Sequence, residues 1–386
     1  MKKYYSVSFP DLAAEKKAHL IEAVSNSAGI LSNKKITAGF DGFIDTIARI
    51  IRDKQDHHAP YLFNTIKEFG EYILEKQGAS FSLELEERSI KLGGNMPIMA
   101  NALGRLGLSV NCIGALGDPQ LHPVFNQLSP NCQLYSFANP GTATAYEFND
   151  GKMMMAQMKS VNTSGWNKIK EMIGIKTLIR LYSESDVICL LNWSEIDAST
   201  NIWKGILKEV LPGYSVDKKQ ISFFDLSDCS KRSAHSISEA LNLLQQFTKH
   251  SSVVLSLNKN EAGIVYQSLY RKKPGKDLLS VGKELLERLN INTLVLHSAR
   301  EAMAFANNEQ VRVDSFFTAE PKISTGAGDN FNAGFCAGQL MEMDLESNVI
   351  LANAVSGCYI RQGISPQLPD LVNFLETFQP SNKTQS

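Results

Sequence analysis

The sequence predicts an α/β protein with a parallel sheet covered on both faces and a small second sheet. Three observations predict it. Beyond residue 165, helical segments alternate with short apolar strands at 187–191, 221–224, 253–256 and 293–296. Strands that are apolar along their whole length are the kind buried on both faces, as in parallel sheets. Two segments nearer the N-terminus, 81–85 and 143–148, instead alternate apolar with polar residues, which gives a strand one wet face. Finally, the turn Gly326-Ala327-Gly328-Asp329 stands just ahead of a helix. Glycines there let backbone N–H groups converge, and a helix N-terminus favours an anion.

The elements follow in chain order. Pro10 and Asp11 open a helix over 11–24, whose Leu12, Ala13, Ala14, Leu20, Ile21 and Val24 form an apolar stripe. It precedes the first strand and reads as an extension packed on the body. Residues 35–41 read as a strand running into a glycine-bearing turn. Residues 96–106 are apolar and small at helical spacing, and a strand follows at 110–114. The strand 143–148 ends at the turn Asn149-Asp150-Gly151. No repeat or low-complexity segment interrupts the pattern, and only 380–386 reads as a loose tail.

With 386 residues, the chain is one large domain or two smaller ones, long enough for a sizeable core. It carries 39 Lys plus Arg against 40 Asp plus Glu, so no global charge draws it to nucleic acid or an anionic membrane. No run of about 18 apolar residues suits a membrane span, and the polar opening does not suit a secretory signal. The six cysteines are scattered without a CxxC pair and read as reduced thiols of a cytoplasmic protein. No histidines stand at HxxxH or HExxH spacing. His57 and His58, beside Asp56 and Pro60, read as part of a solvated loop in preference to a metal site.

Chemistry concentrates in residues 324–335. Asp329 stands where a transferring phosphoryl group would lie, and its carboxylate can take the proton of an attacking hydroxyl. A plain helix cap behind a shaped turn explains the same four residues. Phe331, Phe335 and Cys336 mark the buried side of this helix.

Further motifs stand in register with this one. Gly93-Gly94-Asn95-Met96-Pro97 runs on to Leu106-Gly107 and Gly114-Ala115-Leu116-Gly117-Asp118, and Asn258-Lys259-Asn260-Glu261 lies between it and the glycine turn. Together, over roughly residues 35–370, these resemble the PfkB, or ribokinase-like, family of carbohydrate kinases. The resemblance implies a three-layer α/β/α sandwich with a small β-sheet lid. The nucleotide-binding core would take 1–42, 93–139 and 161–386, and the lid 43–92 and 140–160. It implies ATP-dependent phosphoryl transfer to a hydroxyl of a sugar or sugar-like substrate. Asp329 would be the base and Gly326, Ala327 and Gly328 the anion hole. Asn258 and Glu261 would place Mg2+ through water, and Ser298, Thr325 and Asn353 would meet the nucleotide. Asp45, Gly93, Gly94 and Asn95 would hold the acceptor, with Asp41 competing with Asp45 for that role. Pairing of lids in a homodimer is also implied.

The chain departs from the family pattern in places. Ile323 stands where many members carry the Asp of a monovalent-cation site. Ser298 and Glu301 replace glycines of the nucleotide loop, where Arg300 is free to meet a phosphate or solvent. No Arg/Lys cluster accompanies the lid motifs, which suits a nonphosphorylated acceptor. An ADP-dependent sugar kinase and a non-catalytic sugar- or nucleotide-binding regulator of the same fold are the alternatives.

Overall fold

The computed structural model describes residues 6–54, 59–215, 219–275, 277–306 and 309–379. His57, His58 and the 380–386 tail lie outside the described residues. In chain order the strands are β1 (Lys35–Phe40), β2 (Phe43–Asp53), β3 (Tyr61–Leu62), β4 (Glu84–Gly93), β5 (Ser109–Gly114), β6 (Cys132–Ser136), β7 (Gly141–Phe148), β8 (Gly151–Gln157), β9 (Val187–Leu190), β10 (Ile221–Asp225), β11 (Ser252–Asn258), β12 (Thr293–His297), β13 (Glu301–Ala306) and β14 (Glu309–Asp314). The large sheet runs β14-β13-β12-β11-β10-β9-β1-β5-β6. It is parallel from β6 to β12, and β13 and β14 close one edge antiparallel. The small sheet runs β3-β2-β7-β8, with β4 also paired to β2.

Alternation within the apolar strands feeds two cores. Ile188, Leu190, Phe224, Leu255 and Leu294 join one, with helices Trp166–Ile173, Ala234–Phe247, Lys259–Tyr270 and Leu278–Leu289. Ile36, Ala38, Cys189, Phe223, Val254 and Val295 join the other, with helices Ala14–Ser25, Asn95–Arg105, Ala327–Leu340 and Leu345–Gln362. Helix, sheet and helix layers follow, the α/β/α sandwich with a smaller sheet that the sequence predicts. The N-terminal extension is there too. Its helix spans Ala14–Ser25, after a tight turn at Phe9–Asp11, and packs on the C-terminal helix Leu368–Thr377.

The small sheet keeps its own miniature core of Ile50, Phe63, Phe69 and Phe148, roofed by helix Ile66–Glu75. Here one expectation is corrected. The strand expected at 81–85 begins only at Glu84, opposite Ile51, because β2 offers ladder partners from there on to Gly93. Phe81 instead lies edge-on to Tyr72 at 5.8 Å, and Leu83 packs against the miniature core. Among the described residues no helix is long and apolar enough to cross a membrane.

Strand order positions the site. After β6 the chain crosses to β9, on the far side of β1, so the order reverses between β1 and β9. Such a reversal opens a crevice at the carboxyl ends of the strands.

Candidate active site

Neighbouring parallel strands each deliver a polar side chain to that crevice. Asp41 follows β1, Asn192 follows β9, and Asp225, Asn258 and His297 end β10, β11 and β12. The Ala327–Leu340 helix begins on the same end.

Asp41 is buried. Its carboxylate accepts from the N–H groups of Asn95 and Met96, both at 2.8 Å, and from Asn192 Nδ2 at 2.6 Å. It thus caps the Asn95–Arg105 helix from the adjoining strand and does not line the cleft beside it. Asp225 accepts from Ser227 N–H at 2.8 Å and from Asn332 Nδ2 at 2.7 Å, and Asn332 Oδ1 in turn accepts from Ser256. Glu261 and Asn258 form a capping box at the start of helix Lys259–Tyr270. Burial pushes the Asp225 carboxyl up to about 6 and Glu261 up to about 8, with repulsion from Asp225 adding to the shift of Glu261. Asp329, a first-turn residue of its helix, is raised well above an ordinary carboxylate by burial, then by Asp225, Asp41 and Glu261.

Gly326 begins this helix at φ 85°, the left-handed region, and a Cβ there would stand 2.9 Å from Tyr359 Oη. Tyr359 Oη donates to Thr325 O at 2.8 Å and Ser356 Oγ to Ala327 O at 2.9 Å, so the Leu345–Gln362 helix fixes the loop from behind. Ala327 N–H closes the turn on Ser324 O at 3.2 Å. The N–H of Gly328, in the first turn, has no intrahelical acceptor and is free for an anion.

Two cavities meet at this loop. One, of 290 Å³, is lined by Asn258, His297, Ser298, Ala327, Gly328 and Asn353 among others. The other, of 590 Å³, lies against the small sheet and is lined by Asp45, Asn101, Lys152, Ile323, Thr325 and Tyr359 among others. Burial holds the Asp45 carboxyl up at about 6; Asp41 adds to this and Lys152 opposes it. Gly93 makes room for it, since a Cβ there would fall 2.3 Å from the Asp45 carboxyl carbon. Lys152 reaches from β8 to Thr325 Oγ1 at 2.5 Å, bridging the small sheet and the glycine loop.

The residues singled out by sequence therefore fall into three sets. Asn258, Ser298, Asn353, Ala327 and Gly328 share the first cavity, and Asp45 and Thr325 the second. Gly93, Gly94 and Asn95 form the turn between Asp45 and Asp41 without lining either cavity, and Glu261 and Asp329 sit buried behind the walls. The loop that departs from the family pattern serves a hairpin. Ser298 N–H donates to Glu301 O at 2.8 Å. Ser298 Oγ accepts from Arg300 N–H at 3.3 Å and from Glu301 N–H at 3.2 Å, which completes the turn. The Glu301 carboxylate pairs with Arg312 on β14 at 2.5 Å. Arg300 lies over the Phe317 ring at 4.2 Å, on the wall of the first cavity. Ile323 is half-buried and offers the second cavity no side-chain oxygen.

Sequence reading misses Asn192, Asp225, Asn332, His297 and Lys152. For Asn192, Asp225 and His297 a signal exists: a polar residue at or just after the carboxyl end of an apolar strand. Burial holds the His297 imidazole down at about 4, and the ring stacks on Phe331 at 4.8 Å, so it is neutral at pH 7. Among the described residues no three His, Cys, Asp or Glu side chains stand together as a metal site. Asp225, Glu261 and Asn258 are nonetheless hard oxygen donors, and the upward-shifted pair of carboxylates would be relieved by a hydrated divalent cation.

This arrangement has known relatives. Ketohexokinase from Haloferax volcanii is 25% identical over 342 residues, covering 88% of this chain and 90% of that one. Arabidopsis thaliana ribokinase complexed with ribose and ATP superposes with a TM-score of 0.62 at 14% identity, covering 90% of this chain and 99% of its own. An E. coli structure of the ribokinase type, in complex with ATP and Mg2+, gives 0.62 at 14% identity, covering 89% and 99%. These structures share the fold. A family model described as prokaryotic ketohexokinase matches residues 12–378. The chain therefore belongs to the prokaryotic ketohexokinase family, among the carbohydrate kinases of PfkB/ribokinase type.

Proposed function

We propose that the protein transfers the γ-phosphoryl group of ATP to a hydroxyl of a sugar of the ketohexose class, with Asp329 as the base. One observation carries the reading: the buried Asp329 carboxylate stands in the first turn of a helix behind a glycine loop where two cavities meet. ATP would occupy the cavity of Asn258, Ser298 and Asn353, and Thr325 would flank its terminal phosphate. The sugar would lie against Asp45, near the turn of Gly93, Gly94 and Asn95. As its hydroxyl oxygen bonds to the γ-phosphorus, its proton passes to Asp329 and the bond to the β–γ bridging oxygen breaks, releasing ADP. N–H groups of Gly326, Ala327 and Gly328 would meet the developing charge, Ala327 giving up its 3.2 Å bond to Ser324 O. Asn258, Glu261 and Asp225 would hold Mg2+ through water, and that ion, when bound, supplies neutralising charge to the phosphates.

The small sheet is the lid of this reading, comprising 43–92 and 140–160, and its closure keeps water from the phosphoryl group. The place of Asp45 in the cleft supports it as the sugar ligand instead of Asp41, whose carboxylate is taken up by a helix end. Two copies would pair through their lids. The six free cysteines, five of them buried, suit a cytoplasmic setting. ADP release measured across a sugar panel, with AMP release measured when ADP is the donor, tests the reading. Turnover of a ketohexose with ATP is expected. Turnover only with ADP as donor, or none with any sugar, would overturn it.

A further inference from the structure

A third cavity, of 570 Å³, opens where the small sheet meets the segment before the glycine loop. Arg49 of β2, Lys152 of β8 and Lys322 line it, with Ser324 and Thr325 on the body side. Among the described residues, Glu147 is the one carboxylate in its lining. The three cations are far apart in sequence, which is why no basic cluster is visible there.

Three like charges around one cavity repel each other, and a fold keeps them together at a cost unless an anion lies between. None stands within ion-pair distance of a carboxylate among the described residues, although Lys152 acts on the Asp45 carboxylate from farther off. Lys152 donates to Thr325 Oγ1 at 2.5 Å and Lys322 to the Gln362 carbonyl at 3.0 Å. Arg49 is the least satisfied. Its Nε is buried with no hydrogen-bond partner, and its Nη2 reaches Phe63 O and Asn149 Oδ1 only at 3.4 and 3.5 Å. A guanidinium with an idle, dehydrated donor beside two ammonium groups and two hydroxyls is equipped for tetrahedral oxyanions.

The cavity is also continuous with the Asp45 cleft, since Glu147, Lys152, Lys322, Ile323 and Thr325 line both. We infer that Arg49, Lys152 and Lys322 form a phosphate-class anion site at the mouth of the acceptor cleft, adjoining the nucleotide cavity at Pro321 and Ser324 and distinguished from it by its three cations. Its occupant is a phosphate monoester on the acceptor or inorganic phosphate bound free; the recognising chemistry is the same. The inference goes beyond the proposed transfer to a ketohexose, and it rests on that reading only for which cavity is called the acceptor cleft.

Calorimetric titration of the whole protein with inorganic phosphate, without and with saturating ADP, tests it. Phosphate is expected to bind in both conditions, and Lys322→Gln and Arg49→Gln are each expected to weaken it by about tenfold. Two variants from different elements guard against one that fails to fold. No binding, binding abolished by ADP, or affinity unchanged in both variants would overturn the site. The source is read by comparing a ketose phosphate with its parent ketose as acceptor. A phosphorylated acceptor preferred by wild type and not by Lys322→Gln assigns the anion to the acceptor. Phosphate binding with no such preference assigns it to the free ion. Because binding is read without turnover, an inactive protein that binds phosphate would sink the kinase reading and leave this one standing.

Discussion

At the scale of single residues, the chemistry depends on where protons sit. Asp329 holds its proton more tightly than an ordinary carboxyl because it is buried among other carboxylates. A base must be ionised before it accepts, so kcat should fall as pH drops, starting at a higher pH than an unperturbed aspartate would give. Asp329→Asn keeps the shape and loses the base; steady-state kinetics should show kcat down by about two to four orders of magnitude with acceptor KM little changed. Near-normal kcat in that variant would remove Asp329 from the mechanism. Asp45 has a separate signature. Its pKa of about 6 means it is ionised, and a two-bond acceptor, above that pH and protonated below it. Acceptor KM should therefore climb as pH falls through about 6. Lys152 holds that pKa down, so Lys152→Met should move the rise to higher pH. An unmoved KM profile would separate Asp45 from the sugar. Ile323 brings no charge or oxygen to the glycine loop, and turnover should be nearly equal in sodium, potassium and a bulky organic cation. A several-fold gain specific to potassium would show that backbone oxygens suffice.

At the scale of elements, the passage from β1 into β2 carries two carboxylates with different work. Asp41 caps a helix and Asp45 faces a cleft, although both follow β1 within five residues. Asp41→Ala would strand two helix N–H groups and Asn192 Nδ2 inside the protein, costing roughly 2–4 kcal/mol of stability. Asp45→Ala should hardly move the melting temperature while weakening acceptor binding. Thermal denaturation paired with acceptor titration separates the two, and a reversed pattern would exchange their roles. The family resemblance favours Asp45, but the residues themselves leave Asp41 in competition, because the difference lies in Asn192 and in the position of the Asn95–Arg105 helix, both brought in from elsewhere in the chain. The apolar strands are legible for the opposite reason: burial on both faces is written residue by residue into β9, β10, β11 and β12. The exposed strand β8, with Met153, Met154 and Met155 in a row, carries no such pattern and is not legible.

At the scale of the molecule, the polar row on the strand ends and the basic cavity at the lid both need topology before they can be seen. Glycine motifs are local and announce themselves; Asp225 and Asn332 meet across 107 residues of sequence, and Lys152 and Thr325 across 173. Surface character also sorts by unit. Tyr61, Leu74, Phe81, Leu85, Ile90, Met154 and Met155 are all exposed, between 44% and 70%, and all belong to the small sheet with its helix and connecting loop. The body keeps most of its apolar side chains in two cores, so a concentration of this kind is particular to the small sheet. Exposed apolar groups gathered beside strands with open edges favour pairing with another copy. Among the described residues β4 and β8 each pair on one side only, which leaves backbone donors and acceptors on the other. Light scattering at micromolar concentration should give twice the 42.7 kDa of the chain. Ile90→Lys, a charge placed on β4, should shift the equilibrium toward single chains by about tenfold or more, through loss of apolar burial and repulsion of the paired lysines. A wild-type protein that is monomeric throughout that range would show that the patch covers only its own cleft.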